Sequence, residues 1–83
     1  MGYCVYILLC EDGSYYTGHT HDLANRLKQH LNGKGGRYTR LRHPNRVVYT
    51  EWFGNRREAM KREKEIKHLT HREKALLIER KGE

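Results

Sequence analysis

The sequence predicts an α+β fold: a small antiparallel three-stranded sheet with flanking helices, in the order ββαβαα. Three observations support it, namely two strand-like segments joined by an Asp-Gly turn, a third strand-like segment near mid-chain, and three helix-capping signals. A chain of 83 residues forms only one small core, because a domain of this size buries roughly 60% of its unfolded surface. We therefore expect residues 1–83 to form a single domain.

The strands are predicted from apolar patterning and turn chemistry. Residues 3–10 carry apolar side chains on both alternating faces, which is typical of a central strand covered on both sides. The Asp12-Gly13 pair favours a hairpin turn, after which residues 15–20 form the returning strand. The third strand is predicted at residues 47–53.

The first helix is predicted over residues 23–32, with Asp22 as its N-cap. Its apolar residues recur every four positions and form the stripe expected to face the core. That stripe consists of Leu23, Leu27 and Leu31.

Two capping boxes predict the remaining helices. Asn55 with Glu58 begins a helix that runs to about Leu69, and Thr70 with Glu73 begins the next. This last helix is predicted near residues 71–80, with Ala75, Leu76 and Ile78 facing inward.

Composition excludes a membrane-spanning protein and a disulfide-stapled secreted scaffold. The longest apolar run, residues 5–10, is too short to span a membrane. Cys4 and Cys10 lie about 20 Å apart along one strand, whereas a disulfide needs Cα atoms within about 7 Å. We therefore expect both to be reduced core residues. No signal-peptide pattern precedes the first strand, so we expect a cytoplasmic protein.

Positive charge is concentrated in one part of the chain. Lys and Arg exceed Asp and Glu by seven overall, and residues 23–50 carry seven bases and no acid. Such a stretch, interleaved with tyrosines, indicates a nucleic-acid partner that presents phosphates. The alternative is a solvated basic face that keeps a small protein soluble.

Glu63 is an anomaly on the second helix. At about 100° per residue, Ala59 lies at 0°, Glu63 at about 40° and Ile66 at about −20°, so the carboxylate lies within the apolar stripe. A buried carboxylate needs a cation or a metal ion as partner. A structural ion pair with Lys67 or Arg26 is as good an explanation as a functional site.

Arg26 and His30 lie four residues apart on one face of the first helix and border its leucine stripe. A cation and a titratable ring in this position are able to bind a phosphate and move a proton. From these two residues alone, an amphipathic boundary with Arg26 extended over apolar surface explains the pattern better.

Tyr6 and Tyr16 lie on adjacent strands of the hairpin, and Gly18 permits close approach of the backbone. A two-residue turn would pair Leu9 with Tyr16 and place Tyr6 on the opposite face of the sheet. The two tyrosines therefore share a cleft only if the loop is odd in length or a bulge shifts the register.

Two short motifs carry a resemblance to a known family. Cys4-Val5-Tyr6 precedes Tyr16-Thr17-Gly18 by ten residues, and the chain resembles the GIY-YIG nuclease family, in particular its short standalone bacterial branch. The resemblance covers residues 2–80. It includes a helix Arg with a His four residues later and the Ala-x-x-x-Glu of the second helix, all in order.

The resemblance implies a role for each matching residue. Glu63 corresponds to the carboxylate that holds one divalent cation, Mg²⁺ or Mn²⁺, and Arg26 to the arginine that contacts the scissile phosphate. One of the two motif tyrosines handles the proton of the attacking water, helped by a histidine. The implied catalytic set is Tyr6, Tyr16, Arg26, His30 and Glu63.

A metal-dependent phosphodiesterase acting on nucleic acid, DNA rather than RNA, is therefore the expected function, with no membrane partner and a monomeric chain assumed. The expected nucleic-acid-binding residues are Gly18, His19, Lys34, Arg37, Tyr38, Arg40, Arg42 and Arg56. The alternative is a weakly active or non-catalytic nucleic-acid-binding module, because no Asn follows Asn55 where many relatives carry one. The sequence does not favour a zinc site built from histidine pairs, because the four-ligand spacing of zinc sites is absent.

Overall fold

A computed structural model describes residues 2–31 and 43–81 of the chain. Its elements confirm the predicted order ββαβαα. They are β1 (Tyr3–Cys10), β2 (Tyr15–Thr20), α1 (Leu23–Leu31), β3 (Pro44–Phe53), α2 (Arg56–Lys67) and α3 (His71–Lys81). β3 begins three residues earlier than expected, and α2 ends two residues earlier.

The sheet has the order β2-β1-β3 with both pairings antiparallel, so β1 is the central strand. One face of β1 packs Val5 and Ile7 against residues of α2 and α3. The other face packs Cys4, Tyr6 and Leu8 against the α1 leucines at positions 23 and 27. Both faces of the strand are thus covered, as its continuous apolar sequence predicts.

The β1–β2 loop settles the question of register. The amide of Cys10 donates to the carbonyl of Ser14 (2.9 Å) and that of Gly13 to the carbonyl of Cys10 (2.9 Å), which leaves a three-residue loop. Gly13 has φ +86°, the left-handed conformation that a three-residue hairpin loop needs. The odd length pairs Leu8 with Tyr16, so Tyr6 and Tyr16 share one face.

The predicted helix caps are present. Oδ1 of Asp22 accepts the amide of Asn25 (3.1 Å), and Oδ1 of Asn55 accepts that of Glu58 (2.9 Å). Both halves of the last capping box form, at 2.8 and 3.1 Å. Each cap satisfies a backbone donor that would otherwise lack a partner at a helix start.

The predicted inward face of α3 is wrong at Leu76, whose side chain is 50% exposed. Leu77 packs against the core instead, whereas Ile78 packs there as predicted. Lys74 is half-buried, and Nζ of the exposed Lys81 lies 4.8 Å from the ring centroid of Tyr49.

Cys4 and Cys10 are buried, as predicted, and both are thiols rather than disulfide sulfurs. Within the described residues, no helix has both the length and the apolar character required to cross a membrane.

Candidate functional site

Two tyrosines meet above a glycine on the α1 side of the sheet. The ring centroids of Tyr6 and Tyr16 are 6.4 Å apart. A Cβ atom built on Gly18 would lie 2.6 Å from the Tyr6 hydroxyl and 3.3 Å from a ring carbon of Tyr16. The missing side chain at position 18 therefore makes the space in which both rings sit.

Gly18 is itself buried beneath these rings. It was expected among the nucleic-acid-binding residues, and the structure places it under the two rings instead of on an exposed surface. Its contribution is steric.

His30 completes this aromatic cluster from α1. Its Nε2 atom and the Tyr6 hydroxyl are 2.9 Å apart, and its ring meets the Tyr16 ring edge-on at 5.2 Å. His30 is only 1% exposed. It therefore lies inside the core, packed against both tyrosines, rather than at the edge of the core.

Burial sets the protonation of this hydrogen-bonded pair. Burial, and then the charge of Arg26, lower the pKa of His30. Burial, and then the phenol of Tyr16, raise the pKa of Tyr6 well above its ordinary value, although Arg26 acts in the opposite direction. The charge of Arg26 therefore does not bring the pKa of Tyr6 below its ordinary value. This side chain is a neutral phenol near pH 7.

Glu63 has two nitrogen partners. Nδ1 of His19 donates to its Oε1 (2.6 Å), and Nζ of Lys67 lies 3.0 Å from its Oε2. The Glu63 side chain is 15% exposed, whereas Lys67 is 54% exposed. Lys67 is one of the two ion-pair partners that the sequence analysis gave for Glu63. His19 as a partner was missed.

Arg26 and Glu63 act on the same phenol. Beside the larger effect of burial, Arg26 lowers the pKa of Tyr6 and Glu63 raises it. α1 and α2 cover opposite faces of the sheet, and β2 is an edge strand. His19 of β2 links the two groups, because its Nδ1 donates to Glu63 (2.6 Å) and its side chain lines a cleft together with Arg26.

The cleft that His19 and Arg26 line has a volume of about 380 Å³. We call it the β2-edge cleft, and it is lined by Tyr3, His19, Thr20, His21, Arg26 and Arg56. His19 connects it to Glu63, and Arg26 connects it to the tyrosines. The expected binding residues His19 and Arg56 thus line one surface. The others, Lys34, Arg37, Tyr38, Arg40 and Arg42, lie outside the described residues.

The bond between His19 and Glu63 has a signal in the sequence. Strand alternation places His19 on the face opposite Tyr6, which is the face that α2 covers. An imidazole on that face, under a helix with a carboxylate in its apolar stripe, is the pattern that would have identified the pair.

Multi-ligand metal sites are not found in the described ranges. Across residues 2–31 and 43–81, no three His, Cys, Asp or Glu side chains come together as potential ligands.

Residues 2–75 match the family model of the GIY-YIG catalytic domain. This chain belongs to the GIY-YIG family. Membership implies a nuclease-type activity and a nucleic-acid substrate. The family of this GIY-YIG domain thus indicates the general class of its activity.

Curated relatives cover almost the whole chain. UPF0213 protein BH0048 of Halalkalibacterium halodurans is 51% identical over 82 residues, covering 99% of this chain and 87% of the relative. UPF0213 protein CPE1444 of Clostridium perfringens is 53% identical, with coverage of 94% and 84%. Their names specify no substrate.

Solved structures of similar proteins have the same fold. The solution NMR structure of BH0048 from Bacillus halodurans has a TM-score of 0.64, at 51% identity and with coverage of 99% and 87%. The NMR structure of EF2693 from E. faecalis has a TM-score of 0.65, at 37% identity and with coverage of 100% and 90%.

Proposed function

We propose that this protein is a metal-dependent nuclease that hydrolyses phosphodiester bonds in nucleic acid, with DNA as the favoured substrate. The observation that carries the proposal is that Arg26 lines one cleft together with His19, the residue that donates to Glu63. A cation, a carboxylate and a phenol around one cleft are the groups that in-line attack on a phosphodiester requires.

Glu63 is the proposed ligand of one divalent cation, Mg²⁺ or Mn²⁺. Mg²⁺ prefers oxygen donors and keeps several waters, so one carboxylate with a substrate phosphate is a sufficient protein contribution. Oε2 of Glu63 is held by an exposed lysine that is free to move aside, while His19 keeps Oε1 oriented. When bound, such an ion would supply positive charge to the phosphate and to the leaving oxygen.

Arg26 is the proposed phosphate-binding residue. Its side chain is half-buried and lines the cleft, and its charge lowers the pKa of Tyr6. A guanidinium donates two parallel hydrogen bonds to phosphoryl oxygens and keeps its charge at every working pH. It would therefore stabilise the negative charge that grows on those oxygens during attack.

Tyr16 is the tyrosine we assign to the attacking water. Tyr6 is 1% exposed and its pKa is raised, so it neither meets solvent nor ionises readily. Tyr16 is half-buried, in contact with both Tyr6 and His30. In this assignment the tyrosinate form of Tyr16 takes the water's proton and becomes the neutral phenol, and Tyr6 with His30 fixes its ring in place.

The test is cleavage of labelled DNA and RNA structures with and without Mg²⁺, using Glu63→Gln. We expect cleavage that requires the ion and is lost in Glu63→Gln. Glu65→Gln, two residues along the same helix at a 53% exposed position, is the matched control and retains activity. Cleavage by Glu63→Gln at the wild-type rate would remove this residue from the mechanism.

A binding module without turnover is the second candidate. It is favoured by the two partners of Glu63, because His19 and Lys67 already satisfy both carboxylate oxygens as a structural ion pair would. This candidate predicts salt-dependent binding of nucleic acid with no product in the same assay at any metal concentration.

A further inference from the structure

We infer that the β2-edge cleft is a binding subsite for one unpaired nucleotide next to the reacting phosphate. The inference rests on the proposed nuclease function and specifies its substrate: a strand with an unpaired nucleotide beside the cleavage position. Neither Tyr3 nor His21 belongs to the catalytic or binding sets discussed above, yet both line this cleft.

The size and charge of the cleft suit a nucleotide. Its volume of about 380 Å³ lies within the range of about 300–1,000 Å³ that small-ligand sites have. Arg26 and Arg56 both line it, whereas none of its lining residues is acidic. The neighbouring Asp22 is engaged in capping α1, where its Oδ1 accepts the Asn25 amide (3.1 Å). The net field in the cleft therefore favours a phosphate.

Two rings at the cleft provide a stacking surface. The centroids of Tyr3 and His21 are 6.2 Å apart, with an angle of 57° between the ring planes. Tyr3 is half-buried and packs against the core, so its ring is fixed, whereas His21 is exposed and adjustable. Aromatic faces of this kind bind bases without strong sequence preference.

The cleft adjoins the proposed catalytic residues, and its rings accept only an unpaired base. His19 lines the cleft and holds Glu63, while Arg26 lines it and acts on the tyrosine cluster. A nucleotide in the cleft is therefore adjacent to the reacting phosphate. Within a duplex the base faces are covered by neighbouring pairs, so only an unstacked base can present its face to Tyr3 and His21.

The experiment measures binding without cleavage. Fluorescence anisotropy in EDTA compares the full chain bound to a labelled 12-nucleotide DNA, an RNA of the same sequence, and the blunt DNA duplex. We expect the single strands to bind more tightly than the duplex. We expect His21→Ala to weaken single-strand binding at least about fivefold, as loss of base stacking does, with a change of less than about twofold for the duplex.

Arg56→Ala tests the phosphate contact and should weaken both single-strand and duplex binding. It should also reduce the slope of log K against log salt concentration by about one. Arg57→Ala and His68→Ala are matched controls, since both residues are exposed and neither lines the cleft. We expect both controls to bind within about twofold of wild type. Circular dichroism establishes that every variant is folded.

Single-strand binding by His21→Ala at the wild-type level, or equal affinity for duplex and single strand, would overturn the subsite. Since no turnover is needed, the two proposals fail separately. Cleavage that requires Glu63, together with unchanged His21→Ala binding, overturns the subsite alone. Absence of cleavage together with weakened His21→Ala binding overturns the nuclease and supports the subsite.

Discussion

Tyr6 lies directly across the β1–β2 ladder from Gly18, and its hydroxyl fills the space that a side chain at position 18 would occupy. This relationship joins the two motifs of the sequence into one site. The first motif supplies a large phenol, and the second supplies both a partner ring and the gap that receives them.

Gly18→Ala tests this relationship. The added Cβ would lie 2.6 Å from the Tyr6 hydroxyl, so the ring must move away from His30. We expect a loss of about 1–3 kcal/mol in unfolding free energy, as overpacking typically costs, measured by urea denaturation. Gly54→Ala is the control, because no atom lies within 4 Å of its added Cβ. Equal stability of the two variants would contradict the packing described for Gly18.

His30 should make stability depend on pH. Burial lowers its pKa in the folded protein, so the unfolded chain binds more protons as pH falls below about 6.5. Stability is therefore highest above this value and decreases on acidification. We expect Tm to fall between pH 7.5 and pH 5, and to fall less in His30→Gln, which does not titrate.

Glu51 does not contribute to the change in Tm between pH 7.5 and pH 5. Its pKa is lowered in the folded state by hydrogen bonds from Tyr49 and Arg62, which outweigh burial. Its contribution is present above its unfolded pKa of about 4.5 and is lost only as pH falls below that value. A decrease in Tm between pH 7.5 and pH 5 that is as large in His30→Gln as in wild type would mean that His30 is not its source.

Lys67 should compete with a metal ion for Glu63. Its Nζ lies 3.0 Å from Oε2, and a cation that binds this oxygen must displace the ammonium. Exposed pairs of this kind contribute about 0.2–1 kcal/mol, so Lys67→Met should bind Mg²⁺ up to about fivefold more tightly by titration calorimetry. Lys64→Met, three residues earlier at an exposed position of the same helix, controls for the change in net charge. Equal affinities for the two variants would mean that Oε2 is not a metal ligand.

Local chemistry explains why so much of the fold was predictable. Asp22, Asn55 and Thr70 begin helices because their side chains accept backbone amides within three residues, which requires no tertiary structure. The early start of β3 was not predictable in this way. Its register against β1 shifts twice, between Ile7 and Leu8 and between Leu9 and Cys10, and such irregularities depend on both strands together.

The site was predictable only in part for the same reason. Helical spacing placed Glu63 in an apolar stripe. Its bond to His19 joins residues 44 positions apart, and spacing within one helix cannot predict a contact with another element. Likewise, the sequence brought Arg26 and His30 to one helix face. Only the folded structure shows that Arg26 lines the cleft, whereas His30 is buried against the tyrosines.

The choice between the two tyrosines is the sharpest test of the proposed mechanism. Tyr16→Phe removes the half-buried hydroxyl that we assign to the attacking water, so we expect kcat to fall by a factor of about 10²–10⁴, the usual effect of losing a general base. Tyr6→Phe removes the hydrogen bond to His30 and should cost about 1 kcal/mol in unfolding free energy.

The pH–rate profile separates the two roles. Because Tyr6 positions Tyr16, Tyr6→Phe should lower kcat less than Tyr16→Phe and leave the shape of the profile unchanged. Tyr16→Phe should abolish the rise of kcat with pH, since the group that accepts the proton is gone. If Tyr6→Phe instead abolishes that rise and Tyr16→Phe retains it, the buried phenol is the base. Substrate binding must then open a path to it past Gly18.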